Sequence, residues 1–309
     1  MTKKKTLHEH VPDIEPEINI KIEPVKEEEV KINKLLEVLI TGSSRPQLFP
    51  FFYESFKKMC IIRDTPKITM HEDFVFPEQS KKLVRLVKSK YPEITLDTDI
   101  PPRGLGWTLE HYLFNRIQTK YILYLQEDWM FERPIDIDKL VWIMDKNQDI
   151  NLIFFNKIRN NASINQQKQE MVDYEGYKFC CYHSWTMLPA LWRVDFVKKH
   201  WPRGVRIKPE SAFTQQFGTH NTRTPVDYCR KNIGAYIMGK TGEHRYVRHM
   251  GNDWRMAAWQ LENASDHGGP SGTLVPGGNH NSKTMDLNYI APWVPYPETP
   301  IQRGDLANE

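Results

Sequence analysis

Between residues 35 and 125 the chain alternates short apolar runs with longer segments whose apolar residues recur every three or four positions, and the connections between them are short. A strand, helix, strand order of this kind buries its apolar faces most readily as a sheet of parallel strands covered by helices. "LLEVLITGSSRP" opens it, with a strand from Leu35 to Ile40 and a small polar turn from Thr41 to Ser44. Pro46 then starts a helical pattern in which Phe49, Phe52 and Phe56 share a face. "KITMHEDF" reads as a second strand, "SKKLVRLVKSKYP" as an amphipathic helix stopped by Pro92, and "EITLDTDI" as a third strand. "GWTLEHYLFNRIQTK" is a glycine-entered helix with Leu109, Tyr112, Leu113 and Ile117 on one face. "YILYLQEDWMF" follows, and its run from Tyr121 to Leu125 fits a strand covered on both sides.

Further on, "INLIFFNKI" is another strand, "HSWTMLPALWRVDFVKKHWP" a strand and turn leading into a helix, and "KPESAFTQQFGTHN" begins with a Pro-Glu that can start a helix. "GAYIMGK" and "HRYVRHMGNDW" read as closing segments. The expected fold class is therefore α/β, a mixed and mainly parallel sheet flanked by helices. One domain is expected over residues 35–264. Residues 1–34 alternate Lys and Glu blocks with scattered Pro and read as a flexible charged extension. Residues 265–309, rich in Gly and Pro, read as a loop-rich tail packed on the domain.

Composition narrows the function classes. The 309 residues contain 39% hydrophobic side chains, enough for a sizeable core, and no stretch approaches the roughly 20 uninterrupted apolar residues of a membrane span. The N-terminus lacks the apolar segment of a secretory signal, so the expected setting is cytoplasmic, a host cytoplasm if the protein is viral. Cys60, Cys180, Cys181 and Cys229 lack zinc-site spacing and read as reduced packing residues. The first 34 residues hold 7 Lys and Arg against 8 Asp and Glu, which leaves 35 against 31 in the body. That mild excess suits phosphate-bearing ligands and falls short of the basic stripe of a dedicated nucleic-acid binder.

Three strand ends carry distinctive polar groups: Thr41 to Arg45, His71 to Asp73 and Gln126 to Asp128. In a parallel sheet these ends meet along one edge, where ligands of open α/β sheets bind. Carboxylates placed there can hold a divalent cation against a phosphate ester; for an isolated Glu-Asp pair the alternative is a solvated turn.

With those segments in this order, the chain resembles the GT-A glycosyltransferases, particularly family-2-like members that use a nucleotide sugar. The resemblance is carried by "EVLITGSSRP", "ITMHEDF" and "GWTLEHYLFNRIQTKYILYLQEDW" and covers roughly residues 35–255. It implies transfer of a sugar from a nucleoside-diphosphate donor, with Mn²⁺ or Mg²⁺ as cofactor. Where the family shows Asp-x-Asp, this chain has Gln126-Glu127-Asp128. The likeness accordingly implies Asp128 as the direct metal ligand and Glu127 as a second contact to metal, ribose or sugar. His249 matches a late metal-binding histidine, and its imidazole favours Mn²⁺ over Mg²⁺. Thr41, Ser43, Arg45, Asp73, Gly106, Glu127, Arg245 and Arg248 are implied on the donor. Guanidinium groups at Arg245 and Arg248 suit a departing diphosphate. Glu210, in "PESAF", matches the base that takes the proton of the acceptor hydroxyl in an inverting transfer. Its plain alternative is a carboxylate favoured at a helix start. Trp185 and Trp192 are implied as lining for the acceptor, with core packing as their alternative. Asp195 reads as structural.

Other readings stay open on the residues alone. The acceptor is a glycan or a hydroxymethylated base in DNA; duplex DNA would give steeply salt-dependent binding and a glycan would not. A nucleotidyltransferase would carry a glycine-rich loop with a lysine after the first strand, and "TGSSRPQ" has one glycine and no lysine. A non-catalytic nucleotide-sugar-binding module would account for the altered Gln-Glu-Asp. The oligomeric state is not legible.

Overall fold

Parallel pairing of buried strands organises the chain around one large sheet. The structure, a computed structural model, describes residues 35–99, 102–155, 171–182, 185–205, 209–217, 225–239 and 245–251. The extension expected over 1–34 and the tail expected over 265–309 lie outside the described residues. The elements run β1 (Leu36–Gly42), α1 (Phe49–Met59), β2 (Cys60–Ile61), β3 (Lys67–Asp73), α2 (Pro77–Lys90), β4 (Ile94–Asp99) and α3 (Leu105–His111). They continue with β5 (Tyr121–Gln126), β6 (Trp129–Phe131), β7 (Ile135–Asp136), α4 (Ile137–Lys146), β8 (Leu152–Phe155), β9 (Met171–Tyr174), β10 (Tyr177–Tyr182) and β11 (Ala190–Arg193). Last come α5 (Val194–His200), α6 (Pro209–Gln216), α7 (Val226–Asn232), β12 (Ala235–Met238) and β13 (Val247–His249).

The main sheet has the order β4-β3-β1-β5-β11-β8-β12-β10-β9 among the described residues. β4, β3, β1 and β5 are mutually parallel, β11 runs against both β5 and β8, and β10 runs against β12 and β9. With β8 and β12 parallel, all strands but β10 and β11 point the same way. The mixed, mainly parallel α/β sheet expected from the sequence is the one observed.

Two apolar layers cover it. On one side α1, α2 and α4 pack Phe49, Phe52, Leu83, Val87, Leu140 and Met144 against Val38, Ile40, Leu123 and Leu125. On the other, Leu109, Tyr112, Leu113, Val197 and Phe213 cover Leu39, Ile122, Tyr124 and Trp192. Side chains of consecutive residues in β1 and β5 thus alternate between the layers, which is why these strands are apolar almost throughout. Fully burying one such Phe or Leu is worth about 1.5–3 kcal/mol.

Local chemistry sets the helix ends. Pro77, with its fixed φ and no N–H to leave unpaired, starts α2; Glu78 in the first turn and Lys88 and Lys90 in the last suit the helix dipole. Asp136 caps α4 by accepting the Lys139 N–H at 2.9 Å. α1 begins at Phe49 rather than Pro46, because residues 46–48 form a turn in which the Leu48 N–H donates to the Arg45 carbonyl at 3.1 Å. The helix after Gly104 widens over Tyr112–Arg116 into a π turn that keeps Tyr112 and Leu113 buried.

At the join between the sheet's halves, Arg193 is buried and donates to the carbonyls of Met144 at 2.5 Å and Ile150 at 3.0 Å, and to the Tyr121 hydroxyl at 3.1 Å. Its guanidinium satisfies carbonyls at the end of α4 that the helix itself leaves unpaired. Gly234 precedes β12 with a φ of 61°, and a Cβ there would collide with the Asp149 carbonyl. The hairpin of β9 and β10 has no counterpart in the sequence reading; Glu175 and Gly176, both at positive φ, make its turn. All four cysteines are buried free thiols. No helix among the described residues is long and apolar enough to cross a membrane.

Candidate active site

The carboxyl ends of β3, β1 and β5 lie side by side, with Gly42 opposite Glu72 and Thr41 opposite Gln126. Two carboxylates hold the loop that leaves β1. The Ser43 N–H donates to Glu127 Oε1 at 2.8 Å, and the Ser44 N–H donates to Glu72 Oε1 at 2.8 Å. Ser44 has a positive φ of 62°, a conformation costly for a residue with a Cβ unless its surroundings impose it. Here they do: its hydroxyl contacts Ser80 Oγ at 2.7 Å and accepts the Phe76 N–H at 2.9 Å. Ser80 also donates to Glu72 Oε1 at 2.6 Å. A Cβ on Gly42 would come within 2.3 Å of Glu72 Oε2, so a larger residue there would displace that carboxylate.

Burial raises the pKa of both carboxylates. Glu72, with no solvent exposure, is pushed up to about 8, first by burial and then by the nearby charge of Glu127. Glu127 is raised to about 7 by burial and by Asp128, with Arg45 pulling the other way.

Beyond β5 the chain turns through Glu127 and Asp128 into β6, which pairs antiparallel with β13 so that His249 stands opposite Trp129. This short ladder brings the His249 Nε2 to 3.1 Å from Asp128 Oδ2. The Trp129 indole stacks on the imidazole at 4.4 Å between centroids and 25° between planes. Gln126 braces that indole: its Oε1 accepts the Trp129 Nε1–H at 3.1 Å, and its amide nitrogen donates to the Tyr124 hydroxyl at 2.8 Å. The Tyr124 oxygen in turn lies 3.2 Å from Thr41 Oγ1. On the far side, the Gly251 N–H donates to the Asp128 carbonyl at 3.2 Å, and a Cβ on Gly251 would collide with the Asp128 carboxylate. Arg45 completes the cluster, its Nη1 donating to Asp128 Oδ2 and lying 3.3 Å from Glu127 Oε1.

Several residues implied by the resemblance therefore meet: Thr41, Ser43, Arg45, Glu127, Asp128 and His249. Asp73 lies on the same edge and accepts the Gly104 N–H at 3.1 Å, at the positive-φ glycine that opens α3. Gly106 is buried in the first turn of that helix. Others are placed differently. Arg245 forms a two-pronged pair with Glu132, Nε to Oε2 at 2.5 Å and Nη2 to Oε1 at 2.9 Å. Arg248 is half-buried on β13, opposite Met130. Trp185 and Trp192 belong to the second apolar layer with 1% and 0% exposure; Trp192 stacks on Tyr124 at 4.6 Å, and Trp185 contacts Phe213 at 5.0 Å. Glu210 is half-buried in the first turn of α6, where its carbonyl accepts the Thr214 hydroxyl at 2.7 Å. Glu72, Trp129 and Gly251 went unassigned in the sequence reading. For Glu72 the strand-end "HED" was the available signal; nothing local marks Gly251.

The donor atoms suit a small divalent cation. Adjacent ligands of an octahedral ion with ~2.1 Å bonds lie about 3 Å apart, close to the 3.1 Å separating His249 Nε2 from Asp128 Oδ2. A carboxylate oxygen and an imidazole nitrogen suit Mn²⁺. No group of three or more His, Cys, Asp and Glu arranged for a metal occurs among the described residues, so phosphate oxygens and water would complete the shell.

No family model matches the chain, and no curated protein matches it either. Solved structures similar to it include residues 1–349 of S. aureus TarS, at 11% identity and a TM-score of 0.48, over 75% of this chain and 66% of that one. Mannosyltransferase PcManGT from Pyrobaculum calidifontis, in complex with GDP-Man and Mn²⁺, is similar at 11% identity and a TM-score of 0.43, over 76% of this chain and 65% of that one. GalNAc-T7 with UDP, GalNAc and Mn²⁺ is similar at 10% identity and a TM-score of 0.48, over 70% of this chain and 44% of that one. The chain thus spans less than two thirds, or barely that, of the chains it matches.

Proposed function

We propose that this chain is a metal-dependent glycosyltransferase that moves a sugar from a nucleoside-diphosphate donor to an acceptor hydroxyl with inversion. The observation that carries the reading is the meeting of Asp128 and His249 at the carboxyl edge of the sheet, 3.1 Å apart and flanked by Arg45. Asp128 and His249 would hold the cation, which when bound compensates the charge of the departing diphosphate. Asp73, the Gly104–Gly106 turn and the Ser43 loop line the same edge and support it as the seat of the nucleotide. Arg45 supplies positive charge at that edge.

The acceptor oxygen attacks the anomeric carbon as its proton passes to the Glu210 carboxylate. The bond from that carbon to the diphosphate oxygen breaks, and the oxygen leaves with the electron pair. The buried Trp185 fastens α6, which carries Glu210, to the core through Phe213. The acceptor is a glycan or a modified base in DNA.

A thermal-shift panel of nucleoside diphosphates with and without Mn²⁺ tests the donor site, because a ligand that binds only the folded state raises its melting point. Asp128→Asn should abolish the manganese-dependent part of the shift; an undiminished shift would remove Asp128 from the site. Glu210→Gln should spare donor binding while suppressing transfer, and normal turnover would end its role as base.

A further inference from the structure

Two cationic or cation-seeking groups converge on a single oxygen. Asp128 Oδ2 accepts from Arg45 Nη1 and also meets His249 Nε2 at 3.1 Å. A carboxylate oxygen offers about two lone-pair directions, and these two groups crowd them. Gly251 is close by as well, since a Cβ there would come within 2.4 Å of the same oxygen. A divalent ion that binds through this oxygen meets the guanidinium on it, and two like charges a few ångströms apart in a partly buried site repel strongly.

We infer that Arg45 and the divalent cation are alternative occupants of Asp128 Oδ2, and that arrival of the cation at this oxygen releases the Arg45 guanidinium to the donor's diphosphate. The inference rests on the reading of Asp128 and His249 as the cation's ligands. The loop around Arg45 allows the exchange without unfolding. Its backbone is held by Ser43 on Glu127 and Ser44 on Glu72, both 2.8 Å bonds made by main-chain N–H groups. The side chain, 16% exposed, is held by Glu127 and Asp128 through Nη1. A change of side-chain rotamer moves the charge while these main-chain bonds stay, and a planar guanidinium pairs with phosphate oxygens as well as with carboxylates. Cation and diphosphate then reinforce each other, and by linkage each must tighten the other by the same factor.

The experiment is a Mn²⁺ titration of the full chain followed by the loss of the free-ion electron paramagnetic resonance signal, with and without UDP. Wild type is compared with Arg45→Gln, Arg45→Met and Asp128→Asn, and the fold of each is checked by its melting curve. Removing a charge-assisted bond that competes with the metal should tighten Mn²⁺ in the two Arg45 variants by about tenfold or more. It should also shrink the extra tightening that UDP confers on wild type. Adding methylguanidinium to Arg45→Met should weaken Mn²⁺ binding again, which a purely structural role for Arg45 would not produce. Equal or weaker Mn²⁺ binding in folded Arg45 variants overturns the inference. Unchanged binding in Asp128→Asn, or none in wild type and variants alike, overturns both it and the assignment of the cation site. Absence of sugar transfer with the Arg45 effect intact would count against the proposed reaction alone.

Discussion

His249 Nε2 stands 3.1 Å from Asp128 Oδ2 although 121 residues separate them in sequence. The ladder of β6 and β13 makes the contact, and the Trp129 ring fixes the plane of the imidazole. In the proposed reading, a carboxylate and an imidazole held in this way are two ligands already set in place for the cation.

Because imidazole favours Mn²⁺ over Mg²⁺, His249→Ala should weaken Mn²⁺ more than Mg²⁺ and so narrow the ratio of their affinities. Competition titrations of the two ions read this directly. An unchanged ratio would leave His249 outside the coordination shell.

Gln126 stands where the resembling family carries its first carboxylate, and here its amide bridges the Tyr124 hydroxyl and the Trp129 indole. Gln126→Leu keeps the size and removes both bonds. Orienting partners behind a metal ligand typically matter by 10- to 100-fold in affinity, so Mn²⁺ should bind about tenfold more weakly. The melting point should fall as well, by an amount matching about 1–3 kcal/mol for polar groups left unsatisfied. Calorimetry of the apo and Mn²⁺-loaded protein separates the two effects.

Gly251→Ala places a methyl group against the Asp128 carboxylate. Either the carboxylate turns from His249 or the segment after β13 shifts, and both disturb the 3.1 Å contact. The manganese-dependent thermal shift should be largely lost in this variant, while far-ultraviolet circular dichroism stays that of wild type. A full shift would mean the backbone yields without cost.

Glu72 is raised from 4.5 to about 8 by burial, so the native state keeps a proton that the unfolded chain has already released. More protons bound to the native state means that stability falls as pH rises. The loss begins near pH 5 and ends near pH 8, with a slope of about 1.4 kcal/mol per pH unit from this group. Glu72→Gln should flatten the curve by that slope. Part of the fall below about pH 7 should remain, since Glu127 is raised to about 7. Denaturant midpoints measured across pH 5–9 check it; identical slopes in the two proteins would mean that Glu72 ionises normally.

What the sequence determined by itself was local. Apolar runs at Leu35–Ile40 and Tyr121–Leu125, helical spacing through "QLFPFFYESFKKM" and "SKKLVRLVKSKYP", and polar groups at three strand ends were all legible, because each depends on neighbours within a few positions. The β9–β10 hairpin escaped because its strands are short and its turn carries only Glu175-Gly176 as a signal. Tertiary structure alone decided which polar groups share a site. Arg245 faces Glu132, Arg45 faces Asp128, and Trp185 and Trp192 are enclosed in a core layer, none of which has a local signature. Long-range pairing is chosen by how strands stack and which carboxylates become buried, and burial is a property of the assembled sheet rather than of any segment.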